Sequence, residues 1–333
     1  MRSLRSLLKF TPLLAVVGII ATLSCKPETS SLPPKSNSRF TQIKDWPYGK
    51  SAYAHTEKIL KYGPRPIESG AHKNVQAYIS SELTKAGWIV TKQEFETQTP
   101  YGMRSFTNIV ARYNVAKQGE KAKTNSPEIL LAAHYDSKMI DGFLGADDAA
   151  SCVGALLEMA HYLPKQTDSI APMIELVFFD GEEALKKNLV PGVDGIYGST
   201  FYSKYLNRDL ASEKKTYQKR PKFGVLLDMI GHKNLSISIP SDTPHSLLIS
   251  YMDIAAKHRL EKTFKVANHR ITDDHVPMNE IAKVPTIDII GDFNRTSWWH
   301  TTNDSFDIIS EDSLATSIKF ALELILDTSE TIR

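Results

Sequence analysis

Four short stretches of the sequence run apolar on successive residues: 128–136 ("EILLAAHYD"), 174–179 ("IELVFF"), 223–229 ("FGVLLDM") and 284–290 ("VPTIDII"). Side chains alternate between the two faces of a strand, so a run without alternation must be covered on both faces. Helical patterns separate these runs. Residues 148–163 carry Val153, Leu156, Leu157 and Ala160 at i, i+3, i+4 and i+7 spacing, and 198–206, 244–258 and 311–328 also read as helices. Upstream, "SAYAHTEKILKYG" and "GAHKNVQAYISSELTKAG" read as helices, the second stopping at Gly87, and "WIVTKQEFE" and "RSFTNIVARYN" as paired strands. This order predicts an α/β fold: a single domain over residues 46–330, with a central, mostly parallel mixed β-sheet flanked by helices on both faces.

With 41% hydrophobic and 23% charged residues, the 333-residue chain has ordinary globular composition, and no repeat or second linker divides the domain. A net charge of +2, with no long run of one sign, argues against a nucleic-acid partner.

The first residues read differently. Arg2, Arg5 and Lys9 precede the apolar "TPLLAVVGIIATLS" and then Cys25, the layout of a signal peptide over 1–25. The apolar run is short for a membrane span. "TLSC" resembles the bacterial lipobox, with Thr22 where Leu is usual. The expectation is an exported protein, lipidated on Cys25 and held in the bacterial cell envelope, periplasmic or on the surface, touching membrane only through that anchor. Residues 26–45, rich in Pro, Ser and Lys, read as a flexible tether. The other cysteine, Cys152, falls in an apolar helical pattern and reads as a core thiol without a disulfide partner.

Polar residues gather where the strands end. His134 and Asp136 close the first run, Glu182 and Glu183 follow the second, and Asp228 follows "GVLL". Asp148 opens the helix after the first run, and His300 lies ten residues beyond "TIDII". Ligands of α/β sheets bind outside the carboxyl ends of the strands, so these groups should converge on one edge. A mixed set of imidazoles and carboxylates suits zinc. The adjacent glutamates then divide the labour: one binds the metal, whose charge offsets their repulsion, while the other points elsewhere as a general base.

Six motifs occur in order: "AAHYDSK", "GADDAAS", "FFDGEEA", "LLDMIG", "DDHVP" and "WWHTTND". Together they resemble the M28 zinc peptidase superfamily. Within it, "QTPYGMRSFTNIVARYN" (98–114), with "HYDSK" and "FFDGEEA", is most similar to the animal-type glutaminyl-peptide cyclotransferases, and the resemblance covers about residues 50–328. It implies one zinc per chain, held by Asp148, Glu183 and His300 with a position left open for substrate. It implies Glu182 as the general acid/base, Asp228 and Asp273 as acidic partners near it, and Trp299 as part of the substrate pocket. The implied reaction converts the N-terminal Gln of a peptide or protein to pyroglutamate and releases ammonia, so Gln-bearing N-termini are the expected partners.

Two departures from the family pattern stand out. Asp288 in "VPTID" occupies the place of a family histidine, and "LKKNLVPGVDGIYGS" (185–199) is longer and lacks a Trp. Both are expected at the pocket rim, away from the metal. The same residues also fit a two-zinc aminopeptidase, in which His134 and Asp228 join the ligands, Asp148 bridges, and Glu182 activates a water. A third reading, a non-catalytic surface binding domain on an M28 scaffold, is disfavoured by the intact ligand set and both glutamates.

Overall fold

The computed structural model describes residues 46–117, 119–166, 169–186, 189–211, 220–294 and 296–331. The expected signal segment, Cys25 and the tether lie outside the described residues. Strands β1 (Trp88–Thr99) and β2 (Gly102–Tyr113) form an antiparallel hairpin, and β2 runs antiparallel to β4 (Ile174–Phe179). β4, β3 (Ile129–His134), β5 (Phe223–Asp228) and β8 (Thr286–Ile290) are parallel, giving the sheet order β1-β2-β4-β3-β5-β8. Every residue of these four parallel strands is buried, as their unbroken apolar runs require.

The alternation of side chains sorts the core into two layers. Leu131, Ala133, Leu176, Phe178 and Val225 pack on α1 (Lys50–Leu60), α2 (Gly70–Lys85), α3 (Cys152–Tyr162) and the long C-terminal α7 (Glu311–Thr331). Leu130, Ala132, Val177, Phe179 and Leu226 face the other way, onto Tyr202 and Leu206 of α4 (Tyr197–Ala211) and Met278 beyond the one-turn α6 (His275–Pro277). Helix α5 (His245–Lys257) packs outside β6 (Ile237–Ile239) and β7 (Phe264–Val266), a small parallel pair too short to leave a pattern in the sequence. Cys152 is buried, as its apolar setting predicts. Among the described residues, no helix is long and apolar enough to cross a membrane.

One element starts later than its periodicity predicts. The regular helix α3 begins at Cys152, after a π-helical turn (Ala146–Ser151) in which Asp148 and Ala149 have non-helical dihedrals. Asp304, far along the chain, draws this turn off the helical path. Its carboxylate accepts the backbone N–H groups of Asp147 at 2.7 Å and Asp148 at 3.2 Å.

Candidate active site

His134 and Asp228 are the last residues of β3 and β5, so both emerge at the carboxyl edge of the sheet. Beyond β4 the chain must turn sharply to present two glutamates. Gly181 makes the turn at φ 67°, where a Cβ would fall 2.4 Å from the Phe106 ring. Asp180 pins the strand end: it meets His72 Nε2 at 2.8 Å and accepts the Thr107 N–H at 2.7 Å. Asp136 then holds the tandem glutamates by accepting the N–H groups of Glu182 at 3.2 Å and Glu183 at 3.3 Å.

The side chains meet as two connected sets. His300 Nε2 stands 3.5 Å from Asp148 Oδ2 and 3.4 Å from Glu183 Oε1. His134 Nε2 stands 3.2 Å from Asp148 Oδ1 and 3.4 Å from Asp228 Oδ1. Most of these separations are long for N–H···O hydrogen bonds, which favour about 2.7–3.2 Å. They match the edge of a tetrahedron instead, since donors on a metal ion with bonds of about 2.1 Å stand about 3.4 Å apart. His134 Nε2, Glu183 Oε1 and Asp228 Oδ1 are buried and have no hydrogen-bond partner. Unmade bonds on buried polar atoms are costly, and a metal ion would complete them. The donors therefore fit a metal ion in either set, and Asp148 offers one oxygen to each.

The electrostatics separate the two glutamates. Lys138 Nζ donates to Glu183 Oε2 at 2.8 Å, which leaves Oε1 turned toward His300. Burial pushes the Glu182 carboxyl well above its ordinary range, and the charges of Glu183, Asp273 and Asp274 push the same way against the pull of His134. Burial likewise raises Asp228, helped by Asp148 and Asp273, and Asp273, helped by Asp288 and Asp274. Asp148 behaves oppositely: against its burial, the His134 and His300 rings hold it well below the carboxylate range. Beneath the cluster, the fully buried Arg65 donates to the carbonyls of Tyr135 at 2.8 Å and Gly145 at 2.9 Å and also to Leu144. Its charge faces Asp136, Asp148, Asp304 and Glu183.

These groups open into a cleft of about 550 Å³, lined by Glu182, Asp228, Leu189, Phe293 and Trp299 among others. The size suits a small side chain with a short length of backbone. Trp299 stacks on the His300 ring with centroids 4.0 Å apart and tilts against Phe293 at 4.7 Å, while remaining 36% exposed. Its neighbour Trp298 is buried against His232 and belongs to the packing. His300 at φ 53° and Met229 at φ 51°, immediately after Asp228, hold left-handed backbone. Such strain costs of order 1–3 kcal/mol per residue and persists where surrounding structure enforces it.

The sequence-derived residues thus converge, with differences in depth. Asp273 lies behind the cleft lining, buried beside Asp288. Asp288 is not at the pocket rim, contrary to expectation. It sits in β8, where every residue is buried, and faces His275 with Oδ2 3.2 Å from Nδ1. The 185–199 segment does reach the rim through Leu189. Its Asp194 accepts the N–H groups of Leu185 at 2.7 Å and Lys186 at 3.0 Å. Lys138, Asp304 and Arg65 were missed as supporting residues. Lys138 and Asp304 stand inside the motifs "HYDSK" and "WWHTTND", one charged residue away from attention; Arg65 carries no local signal.

The peptidase family M28 model matches residues 108–325. A glutaminyl-peptide cyclotransferase of Dictyostelium discoideum is 26% identical, covering 92% of this chain and 96% of its own. A solved glutaminyl cyclase of Porphyromonas gingivalis superposes with a TM-score of 0.71 at 28% identity, covering 84% of this chain and 98% of that one. A Zn-dependent exopeptidase from Parabacteroides distasonis superposes with a TM-score of 0.69, also at 28% identity, covering 84% of this chain and 98% of its own.

Proposed function

The chain belongs to peptidase family M28, and from that premise we propose that it is a zinc-dependent glutaminyl-peptide cyclotransferase. It converts the N-terminal Gln of a peptide or protein to pyroglutamate with release of ammonia. The observation that carries this reading is the Glu182 carboxyl in the same cleft as the Asp148–Glu183–His300 donor set, with Trp299 in its lining. Relatives named for this activity on both sequence and structural grounds support it.

The reaction forms a bond from the α-nitrogen to the γ-carbonyl carbon and breaks that carbon's bond to the amide nitrogen. Water is not consumed. Glu182 takes the proton from the attacking amine and returns it to the departing nitrogen, a contribution typically worth ~10²–10⁴-fold. Burial, with the carboxyls of Glu183, Asp273 and Asp274, keeps its proton affinity high. Trp299 offers an apolar wall to the Gln side chain. Asp148, Glu183 and His300 would hold the zinc ion, which when bound would supply Lewis-acid polarisation of the γ-carbonyl.

A second reading, a two-zinc aminopeptidase, is favoured by one observation: His134 Nε2 stands at metal-ligand separation from both Asp148 Oδ1 and Asp228 Oδ1, and donor atoms of all three lie within 4.8 Å of one another. The exopeptidase neighbour supports it too. The product decides between them. Incubation with a Gln-initiated peptide should yield a mass loss of one ammonia with the backbone intact, and Leu- or Ala-initiated peptides should be untouched. Release of a free amino acid would instead establish the aminopeptidase.

The location follows from the first 25 residues: export, with lipidation at Cys25 and more than one acyl chain, since a single chain binds membranes only marginally. Cys25→Ser should leave the protein released or its precursor unprocessed; unchanged mass and fractionation would refute the anchor.

A further inference from the structure

Away from the cleft, three helices bring a second set of metal-type donors together. His55 lies on α1, Glu82 on α2 and His161 at the end of α3. One donor atom from each lies within 4.8 Å of the others. The His55 and His161 rings face each other with centroids 6.1 Å apart and planes 14° from parallel. His161 Nε2 stands 3.3 Å from Glu82 Oε2, close to the tetrahedral edge length of about 3.4 Å. That nitrogen is shielded from solvent and has no hydrogen-bond partner.

The remaining atoms of the three residues are already held. His55 Nδ1 meets the Tyr78 hydroxyl at 2.6 Å, which leaves Nε2 for another partner. Lys85 Nζ donates to Glu82 Oε1 at 2.6 Å, which leaves Oε2 facing His161. This is the outer support that metal-binding imidazoles and carboxylates use to fix ring and oxygen orientation. Burial keeps the His55 ring neutral, with its pKa lowered to about 4, as a ligand imidazole must be. Two imidazoles with one carboxylate favour zinc and its transition-metal neighbours over calcium or magnesium.

We propose that His55, Glu82 and His161 form a peripheral site for a divalent transition-metal ion that ties α1, α2 and α3 together. Tyr78 and Lys85 flank it, each already bonded to one of its donors. Its role is structural. The ion stabilises the folded chain by mass action, because the unfolded chain does not hold the three donors together.

The test counts ions and follows melting. Metal-stripped protein is titrated with zinc, and bound metal and Tm are measured for the wild type, His161→Ala, Glu82→Gln and Asp228→Asn. The wild type should bind one more ion than either His161→Ala or Glu82→Gln. Zinc at ~100-fold excess over its Kd should raise the wild-type Tm by about 5 °C beyond the rise in those variants. Cyclisation of a Gln peptide should be unchanged in both, which also reports that they fold. Equal metal counts in the wild type and both variants would overturn the site. So would loss of the second ion in Asp228→Asn while both peripheral variants keep it, because that ion would sit beside His134.

Discussion

At the carboxyl edge of the sheet, Asp148 is carried on an irregular π-helical turn and Glu183 and His300 on loops; on the helical layer, His55, Glu82 and His161 are carried on three packed helices. The loop ligands need their backbone held. Asp304 grips the N–H groups at 147 and 148, Asp136 grips those at 182 and 183, and His300 sits in strained left-handed backbone. The helical ligands need no such grip, since each helix satisfies its own backbone. Support there falls on side-chain tips, through Tyr78 and Lys85. Loops can aim a ligand, a base and a substrate wall into one cleft, at the cost of many buried charges. Helices hold donors cheaply but leave no room for chemistry beside them.

The comparison breaks first at Glu182, which has no counterpart in the helical cluster. Glu182→Gln keeps size but cannot accept the amine proton. Cyclisation should fall ~10²–10⁴-fold while the zinc count stays at the wild-type value, because Asp148, Glu183 and His300 are untouched. A variant that cyclises at the wild-type rate would remove Glu182 from the proton path.

Backbone support is the next difference to test. In Asp304→Asn one carboxylate oxygen becomes an NH₂, which then faces a backbone N–H at 147 or 148. Two donors would oppose each other, and Asp148 would lose its aim. Metal affinity at the cleft should drop by about 10–100-fold, the usual cost of removing an outer-shell partner. Binding at His55, Glu82 and His161 should not change. Isothermal titration with zinc separates the two, and equal weakening at both sites would mean that Asp304 serves the fold rather than the ligand.

How much of this was legible in the sequence differs between the same two regions. The buried strands announce themselves, because Leu130 and Leu131 must each face a different layer and both are apolar. Their ends place His134, Glu182, Glu183 and Asp228 by topology alone. Asp304 could not be read as a support, since its partners are 156 and 157 residues away. Nor could the late start of α3, which depends on that contact. Asp288 was expected at the pocket rim because it stands where the family pattern has a histidine; its burial in β8 opposite His275 emerges only from the fold. The helical cluster is the least legible, because His55, Glu82 and His161 lie on separate helices and share no motif spacing.

Trp299 marks a milder contrast, an exposed aromatic wall that the helical cluster lacks. Trp299→Ala removes the ring stacked on His300 at 4.0 Å and the face against which a Gln side chain would lie. Contacts of this kind contribute about 0.5–1.5 kcal/mol, so KM should rise roughly three- to tenfold with little change in kcat. A fall in kcat with KM unchanged would recast Trp299 as a positioning residue for His300.

The smallest expected effect lies on the helical side and concerns acid. In metal-free protein the His55 pKa is about 4, against an ordinary 6.5, chiefly through burial, with His161 and Lys85 adding to it and Glu82 opposing. Between these two values the unfolded chain binds a proton that the folded chain refuses. Stability must therefore fall as pH drops from 6.5 toward 4, and this contribution is flat above 6.5. His55→Gln keeps a polar group near the Tyr78 hydroxyl but removes the titration. Carboxylates away from the cluster titrate alike in both proteins, so the difference between their Tm-versus-pH curves reports His55 together with its coupled neighbours Glu82 and His161. Because the ring is partly solvated, the wild type should lose only about 2 °C more than the variant between pH 7 and pH 5. Adding zinc should steepen the wild-type curve more than the variant's, since acid displaces the cleft ion from both proteins but the peripheral ion only from the wild type. Parallel curves without metal would show that His55 is not held neutral by burial. Curves that stay parallel with zinc present would show that no ion is bound between the helices.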